Sequence, residues 1–338
     1  MKKNYITPPS IPSEQAQIIH VFGHRNPDSD SICSALVTAD WLNYRGLSAK
    51  PFRLGELTPE TRYILNSAGV NQPDQLNKNL TDEKVWLVDF TDVEQGPDSL
   101  PASDVIGIID HHRLGTLITK NPPDVWVRAV GCTATVILQI LTLEIPMPLS
   151  AAQATLLLGA ILSDTVALSA PTTTAQDRAA VETLRKIAHI NYDDFVSGLL
   201  AAKTDVTGQS AAQLLSRDAK NYQIHDLSIL LSQIEVRNMA DIAPLLPSLQ
   251  LELERTKSGA GLDMVVLMVT DITQQNSILY FSDNQIFAHR QVALAGMTSR
   301  KKQVLPWLTD RLCTIDLMGQ EGELHTLNPQ DKLSPTHL

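Results

Sequence analysis

Four places along the chain put carboxylates or imidazoles directly after an apolar run. His24-x3-Asp28-x-Asp30 follows QIIHVFG at residues 17–23, and Asp89 closes Trp86-Leu87-Val88. Asp110-His111-His112 follows residues 106–109, and Asp164 follows LLLGAIL at residues 156–162. Carboxylate and imidazole donors without paired thiolates suit harder divalent ions, Mn²⁺, Mg²⁺ or Co²⁺, better than structural zinc. Roughly five carboxylates exceed what one ion needs, so two ions sharing one carboxylate is the expected count. An aspartate at a strand end is commonly a turn residue or helix N-cap, and Asp30 alone would read that way. Three acidic strand ends, two with histidines at tight spacing, are not explained so. His20 and His189 carry no role.

A second group is basic. Ser299-Arg300-Lys301-Lys302-Gln303, expected in a loop after Gly296, is the densest positive cluster in a chain of net charge -10. A charge run ordinarily reads as a solvated loop. An arginine fork beside a lysine point charge also suits phosphate oxygens. Lys220, in Arg217-Asp218-Ala219-Lys220, would by itself pass as a surface lysine.

The elements that must position these groups follow from the apolar pattern. Residues 17–23, 51–54, 84–89 and 104–110 read as strands. Ile32, Ala35, Leu36, Ala39 and Leu42 recur at helical spacing before Gly46, and Thr58-Pro59-Glu60 opens another helix. Strands alternating with helices predict an α/β fold with a mainly parallel sheet. Carboxyl ends of such strands converge on one crevice, which would gather residues 24, 89 and 110. Helices are expected over 132–144, 150–163, 175–189 and 192–200. The expected organisation is a leader at 1–16, an N-terminal metal-binding domain at 17–201 and a linker at 202–208. A smaller α+β domain at 209–314, with strands near 228–236, 263–271 and 277–281 and a helix near 239–256, precedes a poorly ordered tail at 315–338.

Bulk properties narrow the classes. With 338 residues, 43% hydrophobic and 19% charged, the chain suits a two-domain globular protein. Its acidity argues against a bare nucleic-acid binder. Three scattered cysteines, Cys33, Cys132 and Cys313, suggest reduced thiols in a cytoplasmic protein. No stretch reads as a signal peptide or membrane span.

Several segments together resemble the family II (manganese-type) inorganic pyrophosphatases of the DHH phosphoesterase superfamily. They are FGHRNPDSDSICSA (22–35), IIDHHR (108–113), VGCTAT (130–135), ILSDT (161–165), DAK (218–220) and SRKKQV (299–304). The Asp-His-His box marks the superfamily, and the first-strand motif with SRKKQ is more specific. The resemblance implies hydrolysis of inorganic pyrophosphate to two phosphates by a water activated by two metals. One ion, Mn²⁺ by preference, would be held by His24, Asp28 and Asp89, and the other by Asp30, Asp89, His111 and Asp164. His112, Lys220, Arg300 and Lys301 would bind the phosphates, with Asp89, His112, Arg300 and Lys301 catalytic and further Mg²⁺ entering with substrate. It also implies a homodimer paired through sheet edges and an active site between two closing domains. Asp110 would orient a histidine. Phe90 and Thr91 depart from the family's histidine and asparagine at those positions, and an aromatic beside the metals would change the site's polarity. The other readings are a related phosphohydrolase, such as a short-chain exopolyphosphatase, and a silent phosphate- or nucleotide-sensing protein.

Overall fold

The computed structural model describes residues 17–282 and 290–319. The expected leader and most of the expected tail lie outside the described residues.

The first sheet contains β1 (Ile19–Phe22), β2 (Ala49–Arg53), β3 (Asp74–Gln75), β4 (Lys84–Val88), β5 (Asp104–Asp110) and β6 (Asp124–Val127). All pair parallel in the order β3-β2-β1-β4-β5-β6. The chain builds outward on one side of β1 and then outward on the other. That reversal opens a crevice beyond the carboxyl ends of β1 and β4, where α/β sheets bind ligands. The expected parallel α/β sheet is therefore present, with β3 and β6 added. The short β3 and the half-exposed β6 carry too little apolar periodicity to be read from sequence.

Alternate residues of each strand face opposite sides of the sheet. Val21, Val88 and Ile109 join a core with helices α1 (Ser29–Tyr44), α2 (Pro59–Ala68), α3 (Thr133–Gln139), α4 (Ala151–Asp164), α5 (Ala175–Ala188) and α6 (Tyr192–Thr204). Trp41 of α1 meets Trp86 and Trp126 of the sheet edge-on, with ring centroids 5.6 and 5.9 Å apart. Phe22, Leu87 and Ile108 face the other side and pack with Leu80, Phe90 and Leu100. Helix α3 is shorter than expected because residues Ile140–Glu144 continue it as a π-helical turn.

The second sheet holds β7 (Ala219–Ile224), β8 (Leu227–Val236), β9 (Met264–Asp271), β10 (Asn276–Phe281) and β11 (Gln291–Ala295), in the order β11-β10-β9-β8-β7. Strands β8 and β9 pair parallel and the other neighbours antiparallel. Its helices are α7 (Ala211–Ser216), α8 (Met239–Ile242), α9 (Leu246–Ala260) and α10 (Leu305–Gly319). The helix expected over 239–256 is divided, with Ala243–Leu245 forming a 3₁₀ turn at Pro244 and Pro247 beginning α9. Helix α6 continues to Thr204, so the segment expected as a linker begins inside a helix. Helix α10 runs to Gly319, past the expected start of the tail.

Ion pairs join the two layers. Arg217 donates to Glu60 of α2 at 3.0 Å and to the carbonyls of Ala202, Lys203 and Asp205. Lys203 pairs with Glu235 of β8 at 2.6 Å. Among the described residues no helix is long and apolar enough to cross a membrane.

Candidate metal centre

Strand ends deliver the first ligand-type residues. His24 follows β1, and Asp28 caps α1 by accepting the Ser31 N–H at 3.0 Å. Asp30 is not the cap but stands in the first turn of that helix, fully buried. Asp89 follows β4 with φ at +66°, in the left-handed region. A non-glycine residue held there is strained, and such strain concentrates at functional sites. Asp110 ends β5, His111 and His112 follow it, and Asp164 ends α4.

These residues converge. His24 Nε2 lies 3.4 Å from Asp28 Oδ2 and 3.2 Å from Asp89 Oδ2. His111 Nε2 lies 3.4 Å from Asp89 Oδ1, and 4.0 Å from both Asp30 Oδ2 and Asp164 Oδ2. Asp89 thus turns one oxygen to each histidine.

The imidazoles are oriented from behind. His24 Nδ1 donates to the Arg25 carbonyl at 2.8 Å, and His111 Nδ1 donates to the Val130 carbonyl at 3.1 Å. His112 Nδ1 lies 2.8 Å from Asp110 Oδ1, which also accepts the His111 and His112 backbone N–H groups. Each Nε2 is left facing the cleft, the arrangement in which an imidazole binds a metal or substrate. Asp110 is the group that orients His112, as expected.

The contacts between Nε2 atoms and carboxylates require positive charge. Without an ion, protons supply it. Burial opposes a charge on His111, but Asp89 and Asp30 outweigh it and raise its pKa. Burial likewise works against the Asp89 carboxylate, yet His111 and His24 hold it well below the usual range. Burial and the Asp89 charge push Asp30 up to about 6, and burial with Asp30, Asp28 and Asp89 raises Asp164 well above the carboxylate range. Clustered acids that must retain protons in a buried site are a donor set suited to divalent cations. The residues therefore fit a pair of metal ions.

Among the described residues, the sets able to surround an ion are His24, Asp28 and Asp89; Asp89, His111 and His112; and Asp30, Cys132 and Asp164. Cys132 had no role from its sequence, because a single cysteine carries no spacing signal. It is fully buried, and burial followed by Asp30 and Asp164 raises its thiol pKa well above normal.

The basic residues lie opposite. Lys220, on β7, is 4% exposed, unlike the surface lysine its local sequence alone would suggest. Its Nζ is 3.2 Å from His24 Nε2. Burial, then Lys301 and Arg300, lowers its pKa to about 7. Arg300 and Lys301 are not in a loop: Arg300–Val304 is a π-helical turn capped by Ser299, leading into α10. Arg300 is 5% exposed and pairs with Asp218 at 2.9 Å. Lys301 Nζ contacts His112 Nε2 across the cleft. Burial, followed by Lys301 and His111, lowers the His112 pKa well below normal, so its imidazole is neutral. All of these face one cavity of about 560 Å³ that also includes Asp28, Asp89, Asp164 and Tyr222.

Phe90 is among the residues that line this cavity, and it is 2% exposed. Its ring packs 6.3 Å from Phe22 among Leu80 and Leu100, on the other side of the sheet from the α1 core. Thr91 accepts the Gly115 N–H at 2.7 Å and so fastens the loop that follows His112. His20 stacks on Phe52 at 5.3 Å, and His189 caps α5 with φ at +53°, both away from the cleft.

Comparison with known proteins agrees with this architecture. Residues 18–161 match the DHH family, N-terminal domain, and residues 197–311 match the DHHA2 domain. A manganese-dependent inorganic pyrophosphatase of Methanothrix thermoacetophila is 34% identical over 310 residues, covering 86% of this chain and 97% of that protein. A Bacillus licheniformis protein, named a probable manganese-dependent inorganic pyrophosphatase, is 35% identical and covers 86% and 98%. A crystal structure of the Methanococcus jannaschii protein assigned to family II inorganic pyrophosphatases superposes with a TM-score of 0.81. It is 33% identical and covers 87% of this chain and all of that one.

Proposed function

Because the chain belongs to the manganese-dependent inorganic pyrophosphatases of the DHH superfamily, we propose that it hydrolyses inorganic pyrophosphate to two phosphates with manganese as its metal. The observation that carries this reading is Asp89, which presents Oδ2 to His24 and Oδ1 to His111. A carboxylate placed so can serve two ions at once.

His24, Asp28 and Asp89 would hold one ion, and Asp30, Asp89, His111 and Asp164 the other. When bound, such a pair supplies the Lewis acidity that makes water a nucleophile near neutral pH. The remaining chemistry belongs to side chains. Lys220, Arg300 and Lys301 bind the phosphates from the opposite wall and offset charge that builds on the departing oxygen. Asp218 braces the Arg300 guanidinium so that its fork is presented in one orientation. His112, neutral and with Nδ1–H held by Asp110, presents Nε2 as an acceptor, which the Lys301 ammonium contacts in this structure and a protonated phosphate would contact when bound. Further Mg²⁺ would enter with the substrate. Closure of the cleft excludes bulk water and strengthens each of these contacts.

Two finer readings belong with this proposal. The protein forms a homodimer through the first sheet's edge, supported by Val125 of edge strand β6, which is 47% exposed. It works in the cytoplasm, which its three free cysteines favour. Nucleic acid and membrane are not among its partners.

The test is phosphate release by metal-free protein reloaded with Mn²⁺, Co²⁺, Mg²⁺ or Zn²⁺ and supplied with pyrophosphate, tripolyphosphate or a dinucleotide. Pyrophosphate with Mn²⁺ is expected to give the highest kcat/KM. Tight pyrophosphate binding with no hydrolysis under any ion would replace the enzyme with a sensor.

A further inference from the structure

Asp177 lies in α5 and is fully buried, and no ion pair with a basic side chain accounts for it among the described residues. It accepts instead from four groups. The Thr174 N–H and Oγ1–H reach Oδ2 at 2.7 Å, closing the capping box of α5. The Gly131 N–H reaches the same oxygen at 2.9 Å, and the Thr135 hydroxyl reaches Oδ1 at 2.6 Å. The last two bonds are not needed to start α5. They fasten residues on both sides of the first turn of α3.

That turn touches the metal-ligand cluster directly. The Thr133 N–H donates to Asp30 Oδ2 at 2.6 Å, and the Ala134 N–H donates to Asp30 Oδ1 at 3.1 Å. The Thr133 hydroxyl donates to Asp89 Oδ1 at 3.2 Å. One short turn thus orients a carboxylate assigned to the second ion and the carboxylate assigned to both. The fit behind it is close. A Cβ at Gly131 would come within 2.7 Å of Asp177 Oδ2 and 2.9 Å of Thr165 Cγ2, so only glycine lets the turn approach.

We propose that Asp177 is a positioning residue for the metal centre, which sets Asp30 and Asp89 by fixing the Gly131–Thr135 turn. It touches neither ion nor substrate. The proposal rests on the reading that Asp30 and Asp89 hold manganese. Groups behind metal ligands typically change metal affinity by about 10–100-fold when removed, and Asp177 acts at one further remove through two backbone N–H groups and one hydroxyl.

Four variants of the full chain separate this role from a purely structural one, with Mn²⁺ affinity read from the electron paramagnetic resonance signal of the free ion. Asp177→Asn removes the carboxylate charge and one of its two acceptor oxygens, turning an amide donor to the Thr135 hydroxyl or to the N–H groups of Thr174 and Gly131. Thr135→Val removes one of the two bonds from Asp177 to the turn while leaving that of the Gly131 N–H. Both are expected to weaken Mn²⁺ binding about tenfold or more, at temperatures where circular dichroism shows them folded. Thr174→Ala removes the hydroxyl that caps α5 and donates to Asp177 Oδ2 but leaves the Gly131 and Thr135 bonds to the turn. It should therefore lower Tm by roughly 2–4 °C and change Mn²⁺ affinity much less than Thr135→Val. Asp89→Asn checks the underlying reading and should lose affinity most severely. Wild-type affinity in both Asp177→Asn and Thr135→Val, with Asp89→Asn impaired, would overturn the positioning role alone. Equal affinity loss in Thr174→Ala would reduce Asp177 to a structural cap. Undiminished affinity in Asp89→Asn would overturn the metal assignment and this role together. Should Asp177→Asn fail to fold, Thr135→Val decides the question.

Discussion

Lys220 Nζ sits 3.2 Å from Nε2 of His24, across 196 residues of sequence and between the two sheets. A hydrogen bond between these nitrogens requires one proton, and burial with Lys301 and Arg300 brings Lys220 to about 7, where sharing is easy. The lysine occupies the nitrogen that a metal would take. Replacing Lys220 with Met should therefore raise Mn²⁺ affinity a few-fold, since a competing cation is lost. The same change should lower kcat/KM for pyrophosphate by about 10²-fold, the scale of one missing charge-stabilising group. Isothermal titration and steady-state kinetics on one preparation would check both. Weaker metal binding in Lys220→Met would contradict the competition.

Asp89→Asn should reduce bound manganese and activity together, because one carboxylate faces both histidines. Metal analysis after gel filtration should find well below two ions per chain, with kcat down about 10²-fold or more. Retention of two ions at full activity would remove Asp89 from the mechanism.

Manganese affinity should depend on pH with a definite sign. Burial and the Asp89 charge raise Asp30 to about 6. Below that pH its proton must leave before an ion can enter, and the raised Asp164, His24 and His111 must lose theirs as well, so apparent affinity rises with pH through about 6 and continues to rise above it. Calorimetry at pH 5 in buffers of different ionisation enthalpy should show proton release on Mn²⁺ binding. The same group makes the ion-free protein less stable as pH rises. Its folded pKa exceeds the unfolded value, so the folded state holds the extra proton between about 4 and 6, and this contribution falls across that window.

Lys301→Ala should leave metal affinity nearly unchanged and cut kcat/KM about 10²-fold, since Lys301 meets His112 from the opposite wall and is no ligand. Arg300→Lys keeps the charge but loses the fork braced by Asp218, so a clear loss is expected there too. Equal kinetics for wild type and Arg300→Lys would show that charge alone suffices.

Phe90→His should act through stability rather than metal preference. The ring is buried among Phe22, Leu80 and Leu100, so an imidazole there gives up apolar contacts and loses its hydration. Chemical denaturation should show a loss of about 1–3 kcal/mol. The order of activity with Mn²⁺, Co²⁺ and Mg²⁺ should stay as in the wild type. A reversed order would place that side chain in contact with the metals after all.

Residue type and local pattern determined much of this protein. Period-two burial in Val21 and Phe22, and in Val88 and Leu87, follows from the apolar strands themselves. Parallel strands with acidic ends imply a shared crevice, so His24, Asp89 and His111 could be grouped before any coordinates. What the linear pattern did not carry was direction and long-range contact. Phe90 is adjacent to Asp89, yet its ring packs with Phe22, Leu80 and Leu100 while the Asp89 carboxylate meets His24 and His111. Lys220 looked like any surface lysine until β7 brought it against His24. Asp177 carried no reading in the sequence, since its partners Gly131 and Thr135 lie 46 and 42 positions away. Such contacts depend on how α3 and α5 pack. Packing is set by the sum of many buried surfaces rather than by the identity of any one residue.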